Sequence, residues 1–288
     1  MSEVLIAKRP RLVRGFVCRG RYVGRIFAGS VAIVLVAVSA AFAGQQLDTL
    51  KQQGKQIYTT YCAGCHGDQG DGQGPATAML ITKPRDFTKG VFKFRSTPSG
   101  TLPTDDDLYK IIARGVYRTS MPGWSLLSER DRLAVITYIK GFYPDWEKQG
   151  AGTPIYIPKP PPSFGSAASI TRGRELYKML ECNACHGESG RGDGPSAKTL
   201  DKDVWGHPQK PFDFTKGQLK SGPTVQDVYR TFMTGVSGTA MPSFESIFSE
   251  PDGENIFVGD AWNLVSYIVS LRGPAGAVAA GAGKEQAK

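Results

Sequence analysis

The tightest constraint on this chain is a five-residue pattern that occurs twice, as Cys62-Ala63-Gly64-Cys65-His66 and as Cys182-Asn183-Ala184-Cys185-His186. Cys-x-x-Cys-His is the attachment sequence for a covalent c-type haem. Two thiols must add to two vinyl groups on one porphyrin edge, so they have to stand about one helical turn apart, which i, i+3 spacing provides. The histidine that follows swings under the ring, where its imidazole can reach the iron. Two Cys-x-x-Cys pairs could instead hold a zinc ion, but zinc ribbons keep their pairs far closer than the 116 residues between Cys65 and Cys182. A thioredoxin-like dithiol would need a preceding strand and βαβ surroundings, and neither is visible.

Composition sets the frame for these motifs. With 288 residues, 40% hydrophobic, 35 Gly and 19 Pro, the chain suits two modest globular domains with irregular connections better than one large core. The formal charge of +9 is concentrated at the start, where Lys8, Arg9, Arg11, Arg14, Arg19, Arg21 and Arg25 face a single acid, Glu3. Taking those seven bases and one acid from totals of 35 and 26 leaves 28 against 25, so the charge gives no ground for nucleic-acid binding. The basic stretch runs into an apolar segment, Ile26 to Ala40, and then Ala41-Phe42-Ala43 before Gly44, the A-x-A form of a signal-peptidase site. Residues 1–43 are therefore predicted to be a signal peptide, and the protein to be exported to the periplasm. The rival reading is an uncleaved inner-membrane anchor, since Ile26 to Gly44 is 19 residues and about 20 span a bilayer. Cys18 lies before the apolar segment and leaves with the signal, so haem attachment consumes all four remaining cysteines.

The chain is one unit written twice. At an offset of 120, Cys62, Cys65 and His66 map onto Cys182, Cys185 and His186, Pro75 onto Pro195, Pro103-Thr104 onto Pro223-Thr224, and Met121-Pro122 onto Met241-Pro242. Asp86-Phe87-Thr88-Lys89-Gly90 recurs as Asp213-Phe214-Thr215-Lys216-Gly217 at an offset of 127, so the second copy gains about seven residues around Trp205-Gly206-His207-Pro208 and loses as many before Pro223. Leu47, Leu50, Ile57, Tyr58 and Tyr61 follow a helical period into the first motif, as do Ile170, Gly173, Leu176, Tyr177 and Leu180 into the second. Middle helices are expected at Asp105 to Arg114 and Val225 to Thr234. Closing helices follow, one opened by Ser128 and carrying Leu133, Ile136, Ile139 and Phe142, the other starting near Asp260 and carrying Leu264, Val265, Ile268 and Leu271. No useful strand-like alternation appears, so the fold class is all-α.

Residues 149–168 hold Pro154, Pro158, Pro160, Pro161 and Pro162 among Gly and Ser, which predicts a semi-extended linker outside both cores. The expected organisation is a first domain over 44–148, a second over 169–273 and a disordered tail over 274–288.

Helix, Cys-x-x-Cys-His, a glycine-rich loop with Pro, a Met-Pro and a closing helix make each unit resemble a class I cytochrome c domain, and the whole resembles a dihaem cytochrome c of the bacterial periplasm. The resemblance implies two haem c groups, each with its motif histidine as proximal ligand, a later methionine as distal ligand and a proline carbonyl accepting the other imidazole proton. Those roles fall on His66, Met121 and Pro75, and on His186, Met241 and Pro195. Met121 and Met241 each lie 55 residues after their histidine, precede Pro and follow a loop opened by Gly115 or Gly235. Met79 faces Thr199 at the equivalent position, while Met179 and Met233 sit in helical segments. His207, the only uncommitted histidine, reads as a solvated loop residue. Lys83, Arg85, Arg95 and Lys210 could pair with propionates and Trp124 could donate to one, though each reads more readily as a surface cation or core aromatic.

The function this implies is electron transfer, not catalysis, because an iron held by both histidine and methionine has no vacant position for substrate. The partners are redox proteins: a dehydrogenase, a reductase or oxidase, or other cytochromes, with membrane contact only through an uncleaved N-terminal segment. The alternative is a dihaem peroxidase, which needs one open haem with an acid/base residue beside it and more histidines than this chain has. Two units of one ancestry are expected to pack about a pseudo-twofold axis, haem edges together.

Overall fold

The protein was analysed as a computed structural model, which describes residues 44–249 and 259–272. The expected signal or anchor, with Cys18, and the tail from residue 274 lie outside them. The first repeat runs from helix α1 (residues 44–61) into α2 (Ala63–His66), a long loop with a 3-10 turn at Thr77–Met79, then α3 (Asp105–Arg114), α4 (Glu129–Lys140) and a short α5 (Trp146–Gln149). The second repeats that order as α6 (Ala167–Met179), α7 (Cys182–His186), 3-10 turns at Pro195–Lys198 and Phe214–Lys216, α8 (Val225–Thr234), α9 (Glu245–Ser249) and α10 (Asp260–Ser270). Among the described residues there are no strands, only isolated bridges at Leu102–Ala151 and Leu219–Gly222. Among these residues, too, no helix is long and apolar enough to cross a membrane.

Local chemistry explains the duplicated elements. Thr104 and Thr224 each accept a bond from the amide three residues on, and Asp107 and Asp227 reach back to the cap amide, so α3 and α8 start on full capping boxes. The opening and closing helices of each repeat cross at a glycine. A Cβ on Gly54 would lie 2.0 Å from Ala134 O, and one on Gly173 2.0 Å from Asn263 O, so only glycine lets the backbones touch. Around these crossings lie two aromatic cores. Tyr58, Phe87, Phe92, Ile136 and Trp146 anchor the first, and Tyr177, Phe214, Tyr229, Phe232 and Trp262 the second.

Two expectations about packing need correction. Leu133 is exposed, because it stands about 100° round α4 from the buried Val135, Ile136 and Ile139. The proline-rich connector is not outside both cores. Ile155, Ile157 and Phe164 pack against the second core, Phe164 sits edge-on to Trp262, and the connector's amides bond back to the first repeat, Gly152 to Leu102 O and Ile155 to Ser96 O. Proline keeps this segment extended, but the apolar residues between the prolines give it a surface to lie on.

From Leu50 onward the described residues form one compact unit holding both repeats, and the contacts between them are reciprocal. Arg95, only 1% exposed, donates to Thr234 O at 3.0 Å, while Arg114, the counterpart of Thr234, donates to Ser221 O, in the segment before Pro223 that matches the stretch holding Arg95 before Pro103. Likewise Arg118 donates to Lys216 O at 3.4 Å, while Lys89, the counterpart of Lys216, donates at 3.2 Å to Val204 O, and Val204 N–H bonds to Gly238 O, the counterpart of Arg118. Such exchange of i with j is the signature of a pseudo-twofold interface. Cations on backbone carbonyls make these contacts.

Candidate functional site

In both repeats the haem-attachment sequence forms one helical turn pinned from several sides. Tyr58 Oη donates to Gly67 O at 2.7 Å and Tyr177 Oη to Gly187 O at 2.8 Å, so each opening helix grips the residue after the histidine. The tyrosine lies one residue farther from its motif in the second copy. That extra residue is Glu181, which breaks the helix in a left-handed conformation at φ 55°, whereas α1 runs through Cys62 almost without a break.

The proximal imidazoles are held the same way twice. His66 Nδ1 lies 2.9 Å from Arg85 O and His186 Nδ1 lies 3.0 Å from Phe212 O. A carbonyl only accepts, so Nδ1 carries the proton and Nε2 keeps its lone pair for a metal. Phe87 and Phe214 stack on the two rings at 4.7 and 4.5 Å. The expected acceptors, Pro75 and Pro195, are replaced by these carbonyls. Gly74 and Ala76 bond to Cys65 O and Gly64 O instead, which lays the proline along the outer edge of the turn and leaves it exposed. The strap that does reach Nδ1 is the repeated Asp-Phe-Thr-Lys-Gly. Its aspartate accepts from the threonine amide and hydroxyl, and its Phe amide bonds to Gly70 O or Gly190 O at 2.7 Å, which brings the preceding carbonyl onto the imidazole.

The methionine loops are also duplicates. Val116 N–H bonds to Met121 O and Val236 N–H to Met241 O, both at 3.1 Å, and Thr119 Oγ1 and Thr239 Oγ1 accept from the methionine amides. A Cβ on Gly115 would be 2.6 Å from Met121 O, and one on Gly235 2.7 Å from Pro242 C, so these glycines are steric requirements of the loop. Met121 and Met241 are half-buried. Met79 is 81% exposed and Met179 53%, while Met233 is core.

These residues fit a covalent haem. Burial holds both imidazoles below their ordinary pKa, opposed by the carbonyl hydrogen bond, and keeps them neutral as iron ligation requires. Burial also pushes the Cys62 thiol up to about 11 and the Cys182 thiol up to about 12, the reverse of what a redox dithiol or zinc thiolate needs. Among the described residues no three His, Cys, Asp or Glu converge as a metal group would require. His207 lies in the inserted loop, half-exposed. Its amide donates to Asp203 Oδ1 at 2.9 Å, and it lines a cavity of about 470 Å³ with Trp205, Lys83, Lys89, Asp71 and Asp86.

Comparison with known proteins gives the same picture. Residues 49–139 match the family described as cytochrome c oxidase, cbb3-type, subunit III, and residues 170–272 match cytochrome c. No curated protein sequence matches the chain. A chain of the Kuenenia stuttgartiensis reducing HAO-like protein complex Kustc0457/Kustc0458 is 41% identical with a TM-score of 0.70, over 76% of this chain and 95% of that one. Two repeats that each close a Cys-x-x-Cys-His turn under a buried imidazole, matched across both halves, place the chain in the cytochrome c family as a tandem of two cytochrome c domains whose cofactor is haem c.

Proposed function

We propose that this protein is an exported dihaem electron carrier or redox subunit of a periplasmic respiratory chain. In this reading Cys62 and Cys65 tether one haem, ligated by His66 and Met121, and Cys182 and Cys185 tether the other, ligated by His186 and Met241. Haem c, when bound, supplies one-electron ferric/ferrous chemistry, and methionine sulfur favours the ferrous state. The residues do the rest. The carbonyls of Arg85 and Phe212 fix the imidazole tautomer, the glycine-opened loops fix the methionines, and burial excludes water.

The observation that carries the reading is the identity of the two methionine loops in backbone bonding, although the side chains around them differ. An enzyme of the dihaem peroxidase kind needs one distal side built differently from the other. Likeness to a chain of an HAO-like protein complex supports a place beside a redox enzyme, as electron-transfer partner or subunit.

Replacing Met121 or Met241 singly with Ala should open one iron and leave both haems attached, because thioether bonds do not depend on the axial sulfur. Each variant is expected to bind carbon monoxide at half the haems and to lose half of the long-wavelength methionine–iron absorption. An unchanged axial spectrum in Met121→Ala would overturn the assignment in the first domain.

A further inference from the structure

The inserted arm of the second repeat ends on the proximal ligand's support in the first. Arg85 supplies the carbonyl 2.9 Å from His66 Nδ1, and its guanidinium Cζ lies 3.7 Å from the centroid of the Trp205 ring. Trp205 also packs on the other methionine loop. A Cβ on Gly238 would be 2.6 Å from the Trp205 ring, and Val204 N–H bonds to Gly238 O at 3.0 Å. The arm is built to hold this position. Asp203 Oδ1 accepts from the amides of Trp205 and His207 at 3.1 and 2.9 Å, and Asp203 Oδ2 meets Lys93 Nζ at 3.0 Å. In the second domain the residue in the place of Arg85 is Phe212, which packs on its own core and carries no charge.

Resting on the haem and ligand assignment above, we infer that Trp205 is a positioning residue for the first haem: the second domain's arm, by fixing the Arg85 guanidinium behind His66, sets the potential of the first domain's haem. The physical reason is the fate of the Arg85 charge; the Lys93 ammonium, over the same ring at 5.0 Å, is paired with Asp203. Half-buried on an aromatic face, with Asp203 and Asp86 near it, the guanidinium is held by cation–π attraction where water screens it less than in the open. With haem held by His66, a cation fixed near that histidine would oppose the extra positive charge of the ferric state, and so raise the potential. Freed into solvent, the same cation is screened and acts far less. At the corresponding place in the second repeat Phe212 carries no charge, so this control is absent from that position.

Potentiometric titration of the full-length holoprotein, fitted as two one-electron waves, tests this. The first-domain wave is identified as the one displaced by Met121→His. Trp205→Ala should lower that wave alone, Trp205→Phe should retain most of the parent value, and Arg85→Gln, which keeps the backbone carbonyl, should lower the same wave. Combining Trp205→Ala with Arg85→Gln should lower it no further than Arg85→Gln does, because both changes remove one effect. The inference is overturned if Trp205→Ala leaves both waves in place or moves them equally, or if Arg85→Gln leaves the first wave in place. If Met121→His displaces neither wave, the methionine assignment fails instead, and the inference is still judged by whether one and the same wave answers to Trp205→Ala and Arg85→Gln. Should Trp205→Ala not fold, Trp205→Leu, which keeps an apolar side chain but no aromatic face, takes its place and is read by the same outcomes.

Discussion

The two domains agree where the haem chemistry constrains them and diverge elsewhere. Tyrosine to the glycine carbonyl, imidazole to a backbone carbonyl, phenylalanine on the imidazole and the glycine-opened methionine loop are the same in both, to within about 0.2 Å. Around them the surfaces differ. Met79, Ile81 and Leu126 are exposed apolar residues in the first domain, and their counterparts Thr199, Asp201 and Ser246 are polar. Arg118 takes a left-handed φ of 57° where the second domain has Gly238 at 78°. Trp205 leaves no room for a Cβ at Gly238, so the second domain needs glycine there. The comparison teaches that the site is fixed by backbone bonds and glycines, and that the side chains around it were left to differentiate the halves.

The largest expected effect separates the halves outright. The parent protein should carry two haem additions by mass spectrometry, on a chain that begins near Gly44 if the signal is removed. Cys62→Ala/Cys65→Ala and Cys182→Ala/Cys185→Ala should each lose one haem and keep the other, and loss of both from either variant would show that one domain cannot mature without its sister. Next in size, Gly54→Ala and Gly173→Ala each push a methyl to 2.0 Å from a carbonyl oxygen in the facing helix. Each should destabilise its domain by about 3 kcal/mol, the upper range of overpacking, seen as a lowered thermal midpoint. Equal losses support the equivalence of the two crossings; a small loss at only one would show that helix to be free to shift. Tyr58→Phe and Tyr177→Phe each remove one of two hydrogen bonds on a buried carbonyl, which keeps the Gly70 or Gly190 amide, and should cost about 1 kcal/mol each by denaturant titration.

Much of this was readable before any coordinates. Motif spacing marked the haem turns, the repeat paired Met121 with Met241, and the middle helices expected at Asp105 to Arg114 and Val225 to Thr234 have the bounds of α3 and α8. The imidazole acceptors were not readable, because a backbone carbonyl has no residue identity. The available signal was indirect, the conserved strap Asp-Phe-Thr-Lys-Gly in both copies, whose offset of 127 moved it away from Pro75 and Pro195. The arm was visible as an insertion around Trp205, yet its docking depends on Arg85 and Lys93, more than a hundred residues earlier. The connector misled for a related reason. Proline content reports backbone stiffness, while the burial of Ile155, Ile157 and Phe164 depends on what they lie against.

The smallest effect tests the arm, the feature present in one domain alone. Burial raises the Asp203 carboxyl, but the amides of His207 and Trp205 and the Lys93 ammonium outweigh it and hold its pKa below the ordinary value. A depressed carboxylate pKa stabilises the fold above the unfolded value, about 3.9, and that stabilisation is lost as pH falls through the folded value. Lys93 runs the other way: burial lowers its pKa, and the bond to Asp203 does not fully restore it, so the pair as a whole contributes little. Asp203→Asn should therefore loosen the arm by about 1 kcal/mol, through weakened bonds to the two amides, while Lys93→Met should be close to neutral. Hydrogen exchange of the 203–207 amides, followed from pH 6 to below 4, should show protection falling with acid in the parent protein. The same amides should start from low protection in Asp203→Asn, and the first domain's 79–84 loop should show no matching acid step. An equal acid step in both loops would mean that protonation elsewhere loosens the whole molecule, and that the arm is held by Trp205 and its packing without help from the carboxylate.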